Sequence, residues 1–277
     1  MSQSRNRWMV NIVLVLALLA FLGVSIVPII GALNKPTPEQ KSKLENEAQG
    51  KSKLEDEIRG LELVLQREPE NQAALKSLLE ARLQLLRQGK GDIKGVIEPL
   101  EKLAKLNPEN TQYTVLLAQA KLGIGDTEGA AAAYRSILQT KPGDIKALQG
   151  MVILLLKQKR PQAAIGLLQD TLTTATKANK IQPGSVDTVA VQVMLGNVYN
   201  SQKRYTQALA IYDQAIKNDG QDFRPVLAKA MLIKQQGKIN EAKPLFDKAA
   251  ALAPSQYKDD INKSASESPI SSPISPR

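Results

Sequence analysis

The chain has 277 residues but no histidine and no cysteine, and only 4% of its residues are aromatic. Histidine performs much of the acid and base catalysis near neutral pH, and histidine and cysteine are the usual zinc ligands. Without cysteine the chain has neither a disulfide nor a thiol nucleophile. The sequence therefore predicts a protein that is not an enzyme, with no catalytic residue, no cofactor and no metal.

Acidic residues are also in deficit, since 37 Lys and Arg face 27 Asp and Glu and the formal net charge is +10. A basic balance favours nucleic acid, anionic lipid or acidic protein partners. The chain lacks zinc-finger spacing, an aromatic and basic RNP strand, and a dense Arg/Lys tract. We therefore expect no nucleic-acid partner and a better fit to acidic or membrane-bound proteins.

The N-terminal region contains one long uncharged stretch, between Arg7 and Lys35. Residues 12–33 are almost all apolar, and about 20 such residues suffice to cross a bilayer. A cleaved signal peptide is the alternative, but its apolar core is typically only about 7 to 15 residues long and ends in an A-x-A-like site. The sequence thus predicts a short tail over residues 1–11 and a transmembrane helix over residues 12–33, with the lipid bilayer as its environment.

Charges beside the predicted span indicate its orientation. Arg5 and Arg7 precede the span, whereas Lys35, Lys41 and Lys43 follow it. The positive-inside rule counts Lys and Arg near the span. This comparison slightly favours a single-pass protein of the thylakoid or plasma membrane with its C-terminal domain in the cytoplasm.

A charged helical stalk is predicted after the span, over residues 34–53. Residues 39–68 are rich in Lys, Glu, Gln and Leu and are bounded by prolines, which favours one helix. Leu54, Ile58, Leu61 and Leu65 then follow helical spacing on one face. We expect packing against a partner helix to begin at Leu54.

Small residues recur every 34 positions along the rest of the chain, with one interval of 44 between the third and the fourth. They are Val96, Ala130, Ala164, Ala208 and Ala242. Each is followed four residues later by a large side chain, in order Leu100, Tyr134, Leu168, Tyr212 and Phe246. Such a period is typical of stacked helical hairpins, in which a small residue lets two backbones approach beside a large side chain.

The motif inside this period resembles the tetratricopeptide repeat family. Residues 189–222 carry its pattern best, with Leu195, Gly196, Tyr199, Ala208, Tyr212 and Ala215. The resemblance implies an all-α fold: a right-handed superhelix of helix-turn-helix repeats, with about five full repeats and a degenerate first one over residues 54–256. Residues 257–277 are expected to hold a helix end and a disordered Ser/Pro tail.

Two insertions interrupt the period. Residues 88–92 lengthen one turn, and residues 174–187 add ten positions between two repeats. Such insertions map to one face of a repeat protein and can bind partners. An extended helix followed by a longer loop is the alternative explanation of the second insertion.

The resemblance also implies where partners bind, because the first helix of each repeat lines the concave surface in this family. Amides and cations at those positions suit a protein or peptide partner whose backbone they can satisfy. The predicted partner-binding residues are Lys76, Gln112, Gln119, Lys146, Gln149, Asn197, Asn200, Arg224 and Lys234.

The overall layout of anchor, stalk, repeats and polar tail is similar to that of cyanobacterial and chloroplast thylakoid proteins with tetratricopeptide repeats, including the type that interacts with protochlorophyllide reductase. That likeness implies a membrane-anchored scaffold for photosystem assembly or for docking a chlorophyll-biosynthesis enzyme. A periplasm-facing factor for envelope assembly or secretion is the alternative.

Overall fold

A computed structural model describes residues 38–267, with side chains from residue 53 onward. Over this range the chain forms twelve α-helices and no strand, which confirms the predicted all-α fold. None of these helices combines the length and hydrophobicity that crossing a bilayer requires. The predicted span at residues 12–33 and residues 268–277 of the Ser/Pro tail lie outside the described residues.

Helices follow one another through short turns, and a 3₁₀ turn at Ile93–Val96 precedes α3. In chain order the helices are α1 (Pro38–Arg67), α2 (Gln72–Arg87), α3 (Ile97–Leu106), α4 (Thr111–Gly123), α5 (Thr127–Thr140), α6 (Ile145–Lys157), α7 (Pro161–Ile181), α8 (Thr188–Ser201), α9 (Tyr205–Asn218), α10 (Phe223–Gln235), α11 (Ile239–Leu252) and α12 (Ser255–Ser266). The even-numbered helices α2 to α10 are the first helices of the five repeats that the 34-residue period defines.

Residues 38–53 of the predicted stalk and the start of the repeat region form one continuous helix, α1, of 30 residues. Ile58, Leu61 and Leu65 pack into the core beside α2, and Leu54 is buried with Ala81 and Leu85. The apolar face that these four residues were predicted to share is therefore packed against the repeats.

The chain divides into two compact units, one ending at Ala133 and the other beginning at Tyr134. In the first unit, leucines of α2, α3 and α4 make one apolar core, which includes Leu75, Leu103 and Leu116. In the second unit, a core cluster joins α10, α11 and α12 around Phe246 and Ile261. Each unit thus buries apolar faces that a single hairpin would leave exposed.

Close helix approach in the second unit depends on glycine beside tyrosine. Gly196 on α8 abuts the ring of Tyr212 on α9, and Gly150 on α6 abuts the ring of Tyr134 on α5. Tyr212 and Tyr134 are almost fully buried, and burial raises the pKa of Tyr134 to about 12. The predicted pairing of a small residue with Tyr212 is confirmed.

The second insertion extends α7 to 21 residues, and a loop at residues 182–187 then leads into α8. The second insertion thus has the alternative form considered above, an extended helix followed by a longer loop. After α11 the chain starts a separate helix, α12, one residue beyond Pro254. The predicted C-terminal helix end is therefore an independent helix that packs on α10 and α11.

Candidate functional site

The first helices of the repeats share one local feature, a capping Asn or Asp immediately before the helix. Each side chain accepts a hydrogen bond from a backbone N–H in the first turn, at 2.8–3.2 Å. The capping residues are Asn71, Asn110, Asp144, Asp187 and Asp222. Because such a cap satisfies an otherwise unpaired N–H group, these residues fix where each first helix starts.

A cavity of about 370 Å³ opens in the first unit between side chains of α2 and α4. Its floor is apolar, with Leu79 and Leu83 from α2 and Leu116 from α4. Tyr113 of α4 lines it as well. A cavity of this size and lining accepts one or two apolar side chains of a ligand.

Charged side chains of α2 border this cavity, which we name the α2–α4 pocket. Lys76, Glu80 and Arg87 are exposed and occupy positions i, i+4 and i+11 of one helix face. None of the three forms a salt bridge with another residue whose side chain the structure describes. Burial and the nearby Glu80 carboxylate both raise the pKa of Tyr113, so its hydroxyl remains a hydrogen-bond donor at neutral pH.

Of the predicted partner-binding residues, Lys76, Gln112 and Gln119 belong to the first unit, and Lys76 alone of them lines the α2–α4 pocket. Gln112 and Gln119 lie half-buried on α4. In the second unit, Lys146 and Gln149 are exposed on α6.

Two predicted asparagines on α8 are engaged with neighbouring helices. Asn197 Oδ1 accepts a hydrogen bond from Tyr212 Oη at 2.7 Å. Asn200 Nδ2 donates to Gln235 Oε1 of α10 at 3.2 Å, and Asn200 Oδ1 is buried without a partner. Their amides therefore join helices within the second unit, and Asn197 also keeps an exposed surface.

Arg224 sits between two capping aspartates and joins the starts of α8 and α10. Its Nη1 lies 2.7 Å from Asp187 Oδ2, and its Nε lies 3.0 Å from both carboxylate oxygens of Asp222. Hydrogen bonds with Asp222 raise the pKa of Arg224 above its ordinary value, although burial opposes this. Burial acts to raise the pKa of Asp187, but hydrogen bonds from Arg224 and the Ala190 amide outweigh it and lower that pKa. The charge of Arg224 is thus compensated within the fold.

Lys234 is buried, at 8% exposure, and does not face an open groove. Its ammonium donates hydrogen bonds to the carbonyl oxygens of Ser264 and Ala265 at the end of α12, and lies 5.5 Å from the centre of the Phe246 ring. A lysine at a helix C-terminus satisfies carbonyl groups that lack a helical partner. The structure therefore gives Lys234 a role in holding α12.

The predicted partner-binding residues were amides and cations, so the prediction omitted the apolar floor of the α2–α4 pocket. The residues it omitted include Leu79 and Tyr113, which line the pocket. The signal in the sequence was Tyr113, the only aromatic residue of its helix, in the first turn. No group of three or more acidic residues suited to a metal ion occurs within residues 38–267.

Residues 97–145, 122–182 and 189–222 match models of the tetratricopeptide repeat. Over 129 residues the chain is 28% identical to cellulose synthase operon protein C of Pseudomonas fluorescens (strain SBW25). That match covers 47% of this chain, and the chain spans only 10% of the relative's length.

Two solved structures show similar helical chains. One is MamA from Desulfovibrio magneticus RS-1, at 16% identity and a TM-score of 0.40, covering 65% of this chain and 94% of that one. The other is a thermophilic TPR protein of Thermus thermophilus, at 19% identity and a TM-score of 0.42, covering 69% and 98%. The repeat models fall on the helix pairs described above, and the chain therefore contains tetratricopeptide repeats.

Proposed function

We propose that the chain is a non-catalytic scaffold that binds protein partners, and that the α2–α4 pocket is a recognition site for an extended peptide segment. The observation that carries this proposal is an apolar floor bordered by charges that form no salt bridge with any residue whose side chain the structure describes. Protein–peptide recognition commonly combines a pocket for an apolar anchor with polar groups that set orientation.

The spacing of Lys76 and Arg87 indicates the length of the peptide that the pocket would bind. Lys76 and Arg87 are eleven residues apart on α2 and thus about 16 Å apart along its axis. An extended peptide covers that distance in about five residues. The best ligand carries an apolar side chain for the floor of Leu79, Leu83 and Leu116, with an acidic residue toward Lys76 or Arg87.

Photo-crosslinking identifies such a partner in the native host. A photo-reactive amino acid at position 80, on the pocket border, should capture a protein that the same amino acid at position 105, on α3, does not capture. A peptide from the captured protein then serves as the ligand for affinity measurements.

Charge reversal tests whether the pocket is responsible. The exposed pair Lys76→Glu and Arg87→Glu should weaken peptide binding by at least about tenfold, because opposite charges at a binding site become like charges. The matched control reverses Arg67 and Lys105, two exposed cations outside the pocket in the same unit. Equal affinities for the two double variants would contradict the proposal.

The finer proposal places this scaffold on a membrane through residues 12–33, with the thylakoid as the first membrane to examine. It rests on the uncharged apolar run and the layout of the chain, and the comparisons lend the thylakoid assignment no support. Anchoring would confine the α2–α4 pocket to the vicinity of a bilayer and raise its effective concentration toward membrane-bound partners.

A further inference from the structure

Helix α7 is longer than the other second helices in its unit. It has 21 residues, whereas α9 and α11 have 14 each. Its last residue, Ile181, is 87% exposed, more than any other large hydrophobic residue whose side chain the structure describes. The repeat therefore presents an apolar side chain almost entirely to solvent.

This projection is held in place by its own loop. Asn179 Nδ2 donates to Val186 O at 2.9 Å, and Asn179 Oδ1 accepts from Val186 N at 2.9 Å and from Ser185 Oγ at 3.0 Å. Val186 is buried. It packs closely on Gly143, since a Cβ atom added to Gly143 would lie 3.1 Å from the Val186 Cα. The end of α7 is thus fixed in the fold.

Two lysines lie at the same helix end as Ile181, and Lys177 is the surface neighbour of both Lys180 and Ile181. Lys177 and Lys180 precede it at i−4 and i−1, and residues three or four apart are neighbours on a helix surface. No Asp or Glu occurs from residue 171 to 186. Within the described part of the chain neither lysine forms a salt bridge, so their mutual repulsion is not relieved by a carboxylate.

We propose that Lys177, Lys180 and Ile181, which we name the lysine tip, dock on the surface of an anionic lipid bilayer. Lysines place their ammonium groups at the level of lipid phosphates while their stems and a neighbouring apolar side chain enter the interface. Anionic lipid attracts such cations strongly near the surface. The lysine tip thus adds a lipid contact to a protein whose α2–α4 pocket binds a protein segment.

A protein partner fits the lysine tip less well. Protein interfaces are depleted in lysine and are built around aromatic or arginine anchors, and a stable one buries about 800 Å² on each side. The lysine tip offers two lysines and one isoleucine on a single helix end. A bilayer accepts so small a contact, because a lipid surface has no shape to match.

The absence of cysteine provides the test, because one introduced cysteine labels the full-length chain at a single position. Gln182→Cys, next to Ile181, carries an environment-sensitive fluorophore. Gln221→Cys is the matched control, since Gln221 is exposed in the turn between α9 and α10, the corresponding turn of the next repeat. The full chain is combined with vesicles of phosphatidylcholine, or of phosphatidylcholine and phosphatidylglycerol in equal parts, that contain a lipid-attached quencher.

We expect quenching at position 182 in the phosphatidylglycerol vesicles, little in phosphatidylcholine alone, and little at position 221 in either. Lys177→Gln with Lys180→Gln should weaken the docking by about twenty-fivefold, or about fivefold for each lysine. Both lysines are exposed, so these changes leave the fold intact, which circular dichroism checks.

Three results would overturn the proposal: no quenching at position 182 with phosphatidylglycerol, the same quenching after both lysines are replaced, or equal quenching at position 221. An acidic protein that protects position 182 from a soluble quencher, while phosphatidylglycerol does not, would assign the lysine tip to a protein partner instead. Peptide binding at the α2–α4 pocket is measured separately, so the failure of one proposal leaves the other standing.

Discussion

Gly196 and Gly166 differ in whether the fold has room for the methyl group of an alanine. A Cβ at position 196 would overlap the ring of Tyr212, which is fully buried, whereas a Cβ at position 166 would meet no atom within 4 Å. We expect Gly196→Ala to lower the free energy of unfolding by about 2 kcal/mol, because the helices α8 and α9 must separate to admit the methyl group. Urea unfolding followed by circular dichroism measures the change.

Gly166→Ala is the control within the same unit, because α7 gains helix propensity there without a clash. It should raise stability by up to about 1 kcal/mol. Equal effects of the two substitutions would show that α8 and α9 do not pack as closely as Gly196 and Tyr212 indicate.

Asp187 makes stability depend on pH through its bonds with Arg224. Its pKa in the folded state lies below the ordinary value of 3.8, so the folded state holds its proton less tightly than the unfolded state. The resulting stabilisation is present above the ordinary pKa and disappears as the pH falls through the lowered pKa. Asp187→Asn should therefore destabilise the fold at pH 7, and the difference from the wild type should shrink as the pH falls below 3.8.

Asparagine is as good a helix cap as aspartate, so this substitution isolates the charge. Asp170→Asn is the control, since Asp170 is exposed and has no salt bridge within residues 53–267. Urea unfolding at a series of pH values gives both curves. A constant difference between the wild type and Asp187→Asn from pH 7 to pH 2 would refute the pairing with Arg224.

At the scale of the element, α12 depends on Lys234 of α10. Ile261 of α12 is buried, Tyr257 stacks on Phe223 at 5.3 Å between ring centres, and Lys234 binds the carbonyl groups at the helix end. Lys234→Ala removes charged hydrogen bonds from a buried position, which costs about 2 kcal/mol. Hydrogen exchange of residues 255–266 should accelerate by about tenfold or more.

Lys229→Ala on the same helix is the matched control, because Lys229 pairs with Asp213 of α9 and the side-chain bond does not involve α12. Exchange in α12 should remain unchanged in this variant. Equal acceleration in both variants would mean that Lys234 acts on α10 in general, and not on α12.

Elements with a local signal were predictable from the sequence, and elements set by a neighbour were not. The period of small residues predicted the helix pairs, and the helical spacing of Leu54, Ile58, Leu61 and Leu65 predicted which face of α1 packs. Lys234 was predicted to line the concave surface, but α12 covers it. No sequence pattern near Lys234 predicts that helix. Arg224 was likewise predicted to face a partner, but it pairs with Asp222, two positions before it, and also with Asp187, which is 37 positions away and which no local pattern links to it.

At the scale of the whole molecule, the net charge of +10 and the apolar run at residues 12–33 both favour a membrane location. The lysine tip and the predicted anchor contribute separately to membrane binding: the lysine tip by electrostatic attraction and the anchor by hydrophobic burial. High salt shortens the range of the first and leaves the second unchanged. A membrane-anchored chain should therefore stay with the membrane in a salt wash.

We expect the full chain to remain in native membranes after washes with concentrated salt and with alkaline carbonate, because about 20 apolar residues hold a protein in the bilayer far more strongly than surface charge does. A variant without residues 12–33 should be released by the salt wash. Because three lysines closely follow residues 12–33 and two arginines precede them, the positive-inside rule predicts that the repeats lie on the cytoplasmic side. A protease added outside intact cells should then leave the repeats uncut, and cleavage would mean that they face the outside. Release of the full chain by salt would refute the anchor.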